Sequence, residues 1–336
     1  MDFRVDDEQR ALAEGVRSML QGRLPLERLR AREGDEHAVG ADDWVALGQT
    51  GVFSLTVPEP AGTGLGLADT VVVFEELGRR LVPGPLVGTF LAAATGLVVG
   101  AGEGGVQVGM HCTGPGPVLV EHLGSLDALL VLGPAGDEVR LVAPAPLAGA
   151  SRAEAPLDPL TPVWHLASLP AGDALGADGA RMRRDGALLT AALQVGHAAE
   201  VLDLAVAYAK ERHQFGKPIG TFQAVKHICA DMLVRAEVAR AAVHAAACLA
   251  DAPDVTEAEA SAAGCTPDQL LERSVAGAKL LADEAALTNA RAAIQVHGGM
   301  GYTWEVPVHL HLKRARVHAT TFGTPADHAA ALAASA

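Results

Sequence analysis

The chain has 336 residues, room for roughly two or three domains around a substantial core, with 49% hydrophobic and 20% charged residues. Its net charge of −14 argues against nucleic acid or an anionic membrane as a main partner, because both select a basic face. Aromatic residues make up only 4% while Ala and Leu dominate, which favours helix over sheet.

The start, Met1-Asp-Phe-Arg-Val-Asp-Asp-Glu, is acidic and leads into an amphipathic run, so it does not read as a secretory signal. No stretch reaches the roughly 18 apolar residues of a membrane span, and the longest, Leu91 to Val99, is short and runs into glycine. Cys112, Cys229, Cys248 and Cys265 lie far apart without zinc-ligand spacing. Free thiols in a cytoplasmic protein are the expectation.

Three segments follow in chain order. Residues 1–100 predict helices: Gln9 to Leu20, with Leu12, Val16, Met19 and Leu20 at helical spacing, then Asp43 to Leu47 with Asp42 as N-cap. A Pro- and Gly-punctuated loop spans Gly51 to Gly66, followed by helices from Asp69 to Leu81 and from Pro85 to Val99. Across residues 101–180 glycine and proline are dense, and the short apolar runs Pro117–Val120, Ala128–Leu132 and Val139–Val142 predict a small β domain. Residues 181–336 return to helical period, with long helices over Ala187–Arg212, Phe222–Leu249 and Asp268–Val296. Asp251 to Thr266 reads as a polar linker between the last two. Shorter helices from Pro307 to His318 and after Pro325 complete a four- or five-helix bundle.

Two strings at the ends of these helices carry the chemistry. In Arg212-His-Gln-Phe-Gly-Lys-Pro-Ile-Gly-Thr-Phe-Gln223, a plain helix ending accounts for Gly216 as a C′ residue and for Pro218, but not for the whole string. Gln295-Val-His-Gly-Gly-Met-Gly-Tyr302 likewise reads locally as a glycine-rich helix cap. Together, in this order and with long helices between, they resemble the flavin-gripping segments of the acyl-CoA dehydrogenase family. Trp44 to Glu59 and Phe74-Glu-Glu-Leu-Gly-Arg79 are similar to the family's N-terminal helical domain. The resemblance covers roughly residues 1–100 and 187–330.

The resemblance implies a mainly α fold with a small central β domain, FAD as cofactor and desaturation of an acyl-CoA thioester. It places Arg212 on the flavin pyrophosphate, where a planar guanidinium binds two oxygens at once. Gln214, Phe215 and Gln223 lie nearby. Gln295, Gly298 and Gly299 belong to a string whose glycines let the backbone approach the dinucleotide.

Three departures from the family pattern shape the reading. The family's flavin-ring segments of the middle domain, Thr-Glu-Pro-x-Ala-Gly-Ser-Asp and a Trp-x-Thr-Asn-like stretch, are missing between 100 and 176. The catalytic glutamate of the C-terminal Glu-Gly-Thr motif is replaced by Phe322, and the alternative position for the base reads Gly186, followed by Ala187. Removing the α-proton needs a carboxylate within reach, typically worth roughly 10²–10⁴-fold. Asp185, one residue away, is the remaining substitute.

In the family's dimer the two strings reach across to the neighbour's flavin, whereas the ring segments and the base serve the subunit's own. This chain keeps the first set and lacks the second. The resemblance therefore implies the non-catalytic subunit of an α2β2 heteromer. Its partner would be a second dehydrogenase-like subunit with the catalytic Glu, its substrate an acyl-CoA as bulky as a sterol side chain, and its acceptor an electron-transfer flavoprotein. A self-sufficient homo-oligomer and a flavin-free scaffold are the alternatives.

Other features carry less. Gly100 to Gly105 matches GxGxxG, but Val106 to Pro115 cannot open the helix that a dinucleotide fingerprint needs. His309, His311 and His318 are expected as solvated or interface side chains, and the basic patch Lys313 to Arg316 as a helix-end or partner contact.

Overall fold

A computed structural model describes residues 4–114, 116–134, 138–144 and 149–334. The first three residues of the acidic start lie outside that range. In chain order the elements are α1 Asp7–Arg23, α2 Leu26–Arg30, α3 Ala41–Gln49, α4 Leu67–Arg79 and α5 Leu86–Ala94. Strands follow: β1 Val108–Cys112, β2 Val118–Glu121, β3 Ala128–Leu132, β4 Val139–Val142, β5 Ser151–Arg152, β6 Val163–Leu166 and β7 Asp173–Leu175. Helix α6 Gly179–Glu211 leads to a hairpin of β8 His213–Gln214 and β9 Lys217–Pro218. The chain then continues as α7 Gln223–Asp251, α8 Pro253–Ala263, α9 Pro267–His297, α10 Val308–His318 and α11 Pro325–Ala334. Contacts group it into two compact units, one of Met1–Glu14, Val71–Leu81 and Ala187–Ala336, the other of Gly15–Thr70 and Val82–Gly186.

The second unit holds strands β1 to β7. One sheet runs β1-β3-β4-β7 and the other β2-β6-β5. Val120, Leu129, Val131, Val142, Trp164 and Leu166 from both sheets meet in a single apolar cluster. Strand β3 is buried along its whole length, as its unbroken run of Ala and β-branched or Leu residues requires. The pairing of β1 with β3 is parallel, in the register Val108 to Ala128. Strand β1 and this register escape the sequence reading, because glycines and His111 interrupt the apolar period.

Two expected helices in this unit need correction. The N-cap of α3 is Gly40, not Asp42, which sits inside the first turn where its charge meets the helix dipole. Helix α5 stops at Ala94 rather than Val99, because the Thr95 hydroxyl folds back onto the Leu91 carbonyl at 2.6 Å and Gly96 turns left-handed at φ 66°.

The first unit is the helical bundle. Helix α9 runs through its middle, with α7, α8, α10 and α11 packed against it. Asn289 of α9, fully buried, stitches three helices together. Its Nδ2 donates to the Met232 carbonyl of α7 at 2.8 Å and to the Ala198 carbonyl of α6 at 3.2 Å, and its Oδ1 accepts from Arg235 at 2.9 Å. A buried amide with its partners in place fixes one register where alanine-lined helices alone would slide. Gly196 of α6 lies so near α4 that a Cβ would fall 2.1 Å from the Glu75 carbonyl, so only glycine fits that crossing.

Two further expectations change here. The supposed linker from Asp251 to Thr266 is mostly helix α8, begun by Pro253 in its first turn and closed by Gly264 at φ 70°. His311 is only 1% exposed, facing His197, instead of solvated. Helix α6 is long and apolar enough to cross a membrane by length and composition, yet 78% of its apolar window is buried inside the protein. Those side chains already have protein partners.

Candidate functional site

Helix α6 ends at Glu211 and places Arg212 directly beyond it. The Arg212 N–H donates to the Tyr208 carbonyl at 2.8 Å, and its own carbonyl accepts from the Ile219 N–H at 2.8 Å, so the backbone is held on both sides while the guanidinium stays exposed. Gln214 lies in β8, its amide donating to the His213 carbonyl at 2.8 Å. Phe215 and Gly216 form the turn of the hairpin with φ of 54° and 78°. Both central residues at positive φ match the hairpin turn type whose twist suits its strands. Gly216 is thus a turn residue and not the helix C′ residue.

Phenylalanine is a poor choice for a left-handed position, and this one is 90% exposed. Strain of that kind, spent to hold an apolar ring out in solvent, belongs to a residue with something to touch. Phe222 stands edge-on to Phe215 at 6.0 Å, and the Lys217 amine lies 4.6 Å over the Phe222 ring. Gln223 opens α7 and is exposed.

The second string closes α9. Gln295 is exposed in its last turn and its carbonyl accepts the Gly298 N–H. Gly298 takes φ 61°, ψ −136°, a region essentially reserved for glycine, while a Cβ built on Gly298 or Gly299 meets nothing within 4 Å. No neighbouring group crowds the backbone at Gly298 and Gly299, so it is approachable from outside. Tyr208, one turn before Arg212, stacks on His297, the residue before Gly298, with ring centroids 4.3 Å apart. The two strings thus meet at one end of the helical unit.

The positions of the missing base look different. Phe322 is 7% exposed, at φ 59°, between α10 and a capping exchange in which Thr324 and Asp327 begin α11. Asp185 is 7% exposed in the other unit, with Arg181 and Arg184 each 3.4 Å from its carboxylate. Burial raises its pKa, and the two arginines pull it back. Gly186 has no side chain to offer.

A cavity of about 650 Å³ lies in the second unit, bordered by Gly48, Ser54, Ala93, Gly100 and Glu103. It takes in the GxGxxG string, which leads into strand β1 and not into a helix. The residues of the two strings are all in the other unit. Among the described residues no group of three or more His, Cys, Asp or Glu side chains is arranged to hold a metal.

Comparison with known proteins settles the family. Residues 6–103 match the model described as acyl-CoA dehydrogenase, N-terminal domain, and residues 184–336 the one for the C-terminal domain. The acyl-CoA dehydrogenase IpdE2 of Mycolicibacterium smegmatis is 34% identical, over 96% of this chain and 97% of its own. The chain belongs to the acyl-CoA dehydrogenase family. The fold agrees: the solved Tcur3481-Tcur3483 steroid acyl-CoA dehydrogenase superposes with a TM-score of 0.79 at 25% identity, covering 99% of this chain and 98% of that one. The ChsE4-ChsE5 complex from Mycobacterium tuberculosis gives 0.79 at 24% identity, with the same coverage.

The residues present suit the family's flavin. An exposed guanidinium, an uncrowded glycine backbone at Gly298 and Gly299 and an outward aromatic ring suit a dinucleotide's phosphates and flat rings. The sequence reading missed the Tyr208–His297 contact. Both residues lie in or beside the quoted strings, but no spacing rule says that they touch.

Proposed function

We propose that this chain is the non-catalytic subunit of a cytoplasmic α2β2 acyl-CoA dehydrogenase. Through Arg212, Gln214, Phe215, Gln223, Gln295, Gly298 and Gly299 it clamps the nucleotide end of an FAD whose ring and catalytic glutamate belong to the partner subunit. The flavin, when bound, supplies the acceptor for the substrate's β-hydride. Arg212 would neutralise pyrophosphate charge, and the uncrowded backbone at Gly298 and Gly299 would let the dinucleotide come close.

One observation carries the proposal: the clamp side chains lie exposed at one end of the helical unit, while the base positions hold a buried phenylalanine and a glycine. A clamp facing outward without a base beside it suits a flavin housed elsewhere. The pairing of two designations in Tcur3481-Tcur3483, and its steroid class, support a heteromer acting on a bulky acyl-CoA. An electron-transfer flavoprotein would take the electrons.

Co-expression tests this. The chain alone should be colourless, and should turn yellow and active with acyl-CoA only when produced with a dehydrogenase-like subunit that carries the glutamate. A yellow, acyl-CoA-reducible homo-oligomer would overturn the proposal in favour of a self-sufficient enzyme. That second reading has one observation behind it, the burial that raises the Asp185 pKa towards the range a base needs. A complex with no flavin at all would leave a scaffold.

A further inference from the structure

We infer that Tyr208 and His297 are a positioning pair that sets the separation between the two halves of the clamp, an inference that rests on the clamp proposed above. Their rings stack at 4.3 Å with planes 22° apart. Tyr208 sits in the last turn of α6, and its carbonyl holds the Arg212 N–H. His297 is the last residue of α9, next to the glycine corner. One ring contact therefore ties the turn bearing Arg212 to the turn bearing Gly298 and Gly299.

Each ring is fixed from behind. The His297 Nδ1 lies 2.8 Å from the Ala293 carbonyl. A carbonyl can only accept, so this nitrogen carries the hydrogen and the ring plane is set by its own helix. Tyr208 packs beside the apolar cluster of Leu202, Ala205, Ala209, Ala293, Ile294 and Val308. Outside the stack, Arg212, Gln295, Gly298 and Gly299 are all exposed. The stack is thus a fixed contact between the two turns beneath groups that must meet one phosphate chain together, and such groups work only when held within about 0.5 Å of their productive places.

The test uses the co-expressed complex and measures dissociation constants for FAD and for ADP, a fragment with the pyrophosphate and adenosine but no flavin ring. Tyr208→Leu and His297→Leu keep apolar volume without a stacking face; Tyr208→Phe keeps the face, and His297→Phe keeps it while giving up the bond to the Ala293 carbonyl. The leucine variants should bind FAD and ADP roughly tenfold more weakly, by the same factor, Tyr208→Phe like the unaltered complex, and His297→Phe between the two. Leucine variants that bind both as tightly as the unaltered complex would overturn the inference, as would phenylalanine variants that lose as much. Should one leucine variant fail to assemble, the other decides by the same criteria. If Arg212→Ala loses FAD and the leucine variants do not, the pair alone fails; if Arg212→Ala also binds normally, the clamp and the pair fail together.

Discussion

The amine of Lys279 lies 2.7 Å from the carboxylate of Asp283, one helical turn on, and both side chains are at least 98% buried. The same amine donates to the His318 carbonyl at the end of α10, at 3.0 Å, and Asp283 accepts from Gln194 of α6 at 2.9 Å. Burial pulls the Lys279 pKa down and that of Asp283 up, and the ion pair opposes both. This buried pair joins α6, α9 and the carboxyl end of α10, four residues before Phe322.

Breaking it by halves should cost more than removing it. Lys279→Met leaves an unpaired buried carboxylate and should lower unfolding stability by about 3–5 kcal/mol, whereas Lys279→Met with Asp283→Leu should recover most of that loss. Urea unfolding of both variants checks this. A double variant as unstable as the single one would mean that the pair contributes beyond its own neutralisation.

Stability should fall on acidification. His197 is fully buried, and burial, followed by the charges of His311, His318 and Arg314, holds its pKa well below the usual imidazole value, against the opposing pull of a hydrogen bond to the Gly78 backbone. His328, lowered to about 4 by burial and by Lys279, acts in the same direction. Below about pH 6.5 the unfolded chain takes up protons that the folded one refuses, so stability is full above that pH and drains away below it. Melting midpoints from pH 8 to 5 should drop, and His197→Gln should flatten the drop. A variant curve parallel to the original would acquit His197.

Gly298 and Gly299 should separate fold from function. Gly298→Ala places a Cβ at φ 61° and should cost about 1–3 kcal/mol of stability in the chain alone. Gly299→Ala meets open space and should leave the melting midpoint of the lone chain unchanged while weakening FAD binding in the complex. Equal FAD affinity in Gly299→Ala would mean that no dinucleotide comes close there.

Arg212→Ala should leave the lone chain's stability within about 0.5 kcal/mol, since the side chain is exposed. In the complex it should weaken flavin retention by about 1.5–3 kcal/mol, the scale of a charge-assisted hydrogen bond. Flavin absorbance after gel filtration reads the loss, and undiminished occupancy would remove Arg212 from the clamp.

Asp185→Asn should leave turnover of the complex nearly intact, because the carboxylate is engaged by Arg181 and Arg184. A fall on the order of 10²-fold or more would make it the base. Stopped-flow reduction of the flavin by acyl-CoA distinguishes the two.

The sequence by itself determined the long helices, the central strands β2, β3 and β4 and the family, and it supplied the two strings from which the clamp is proposed. Each of these is written in local period, turn residues or a contiguous motif. It also shows that Phe322 and Gly186 cannot take a proton wherever they lie. Tertiary structure decided the rest. The polar stretch after Asp251 reads as linker until α9 gives α8 a surface to pack on, and His311 reads as solvated until α6 supplies His197 opposite. The parallel pairing of β1, the burial of Lys279 with Asp283 and the stacking of Tyr208 on His297 all join residues distant along the chain. Period and propensity report on neighbours a few residues apart, whereas these contacts depend on how whole helices and strands are set against one another, which no local pattern encodes.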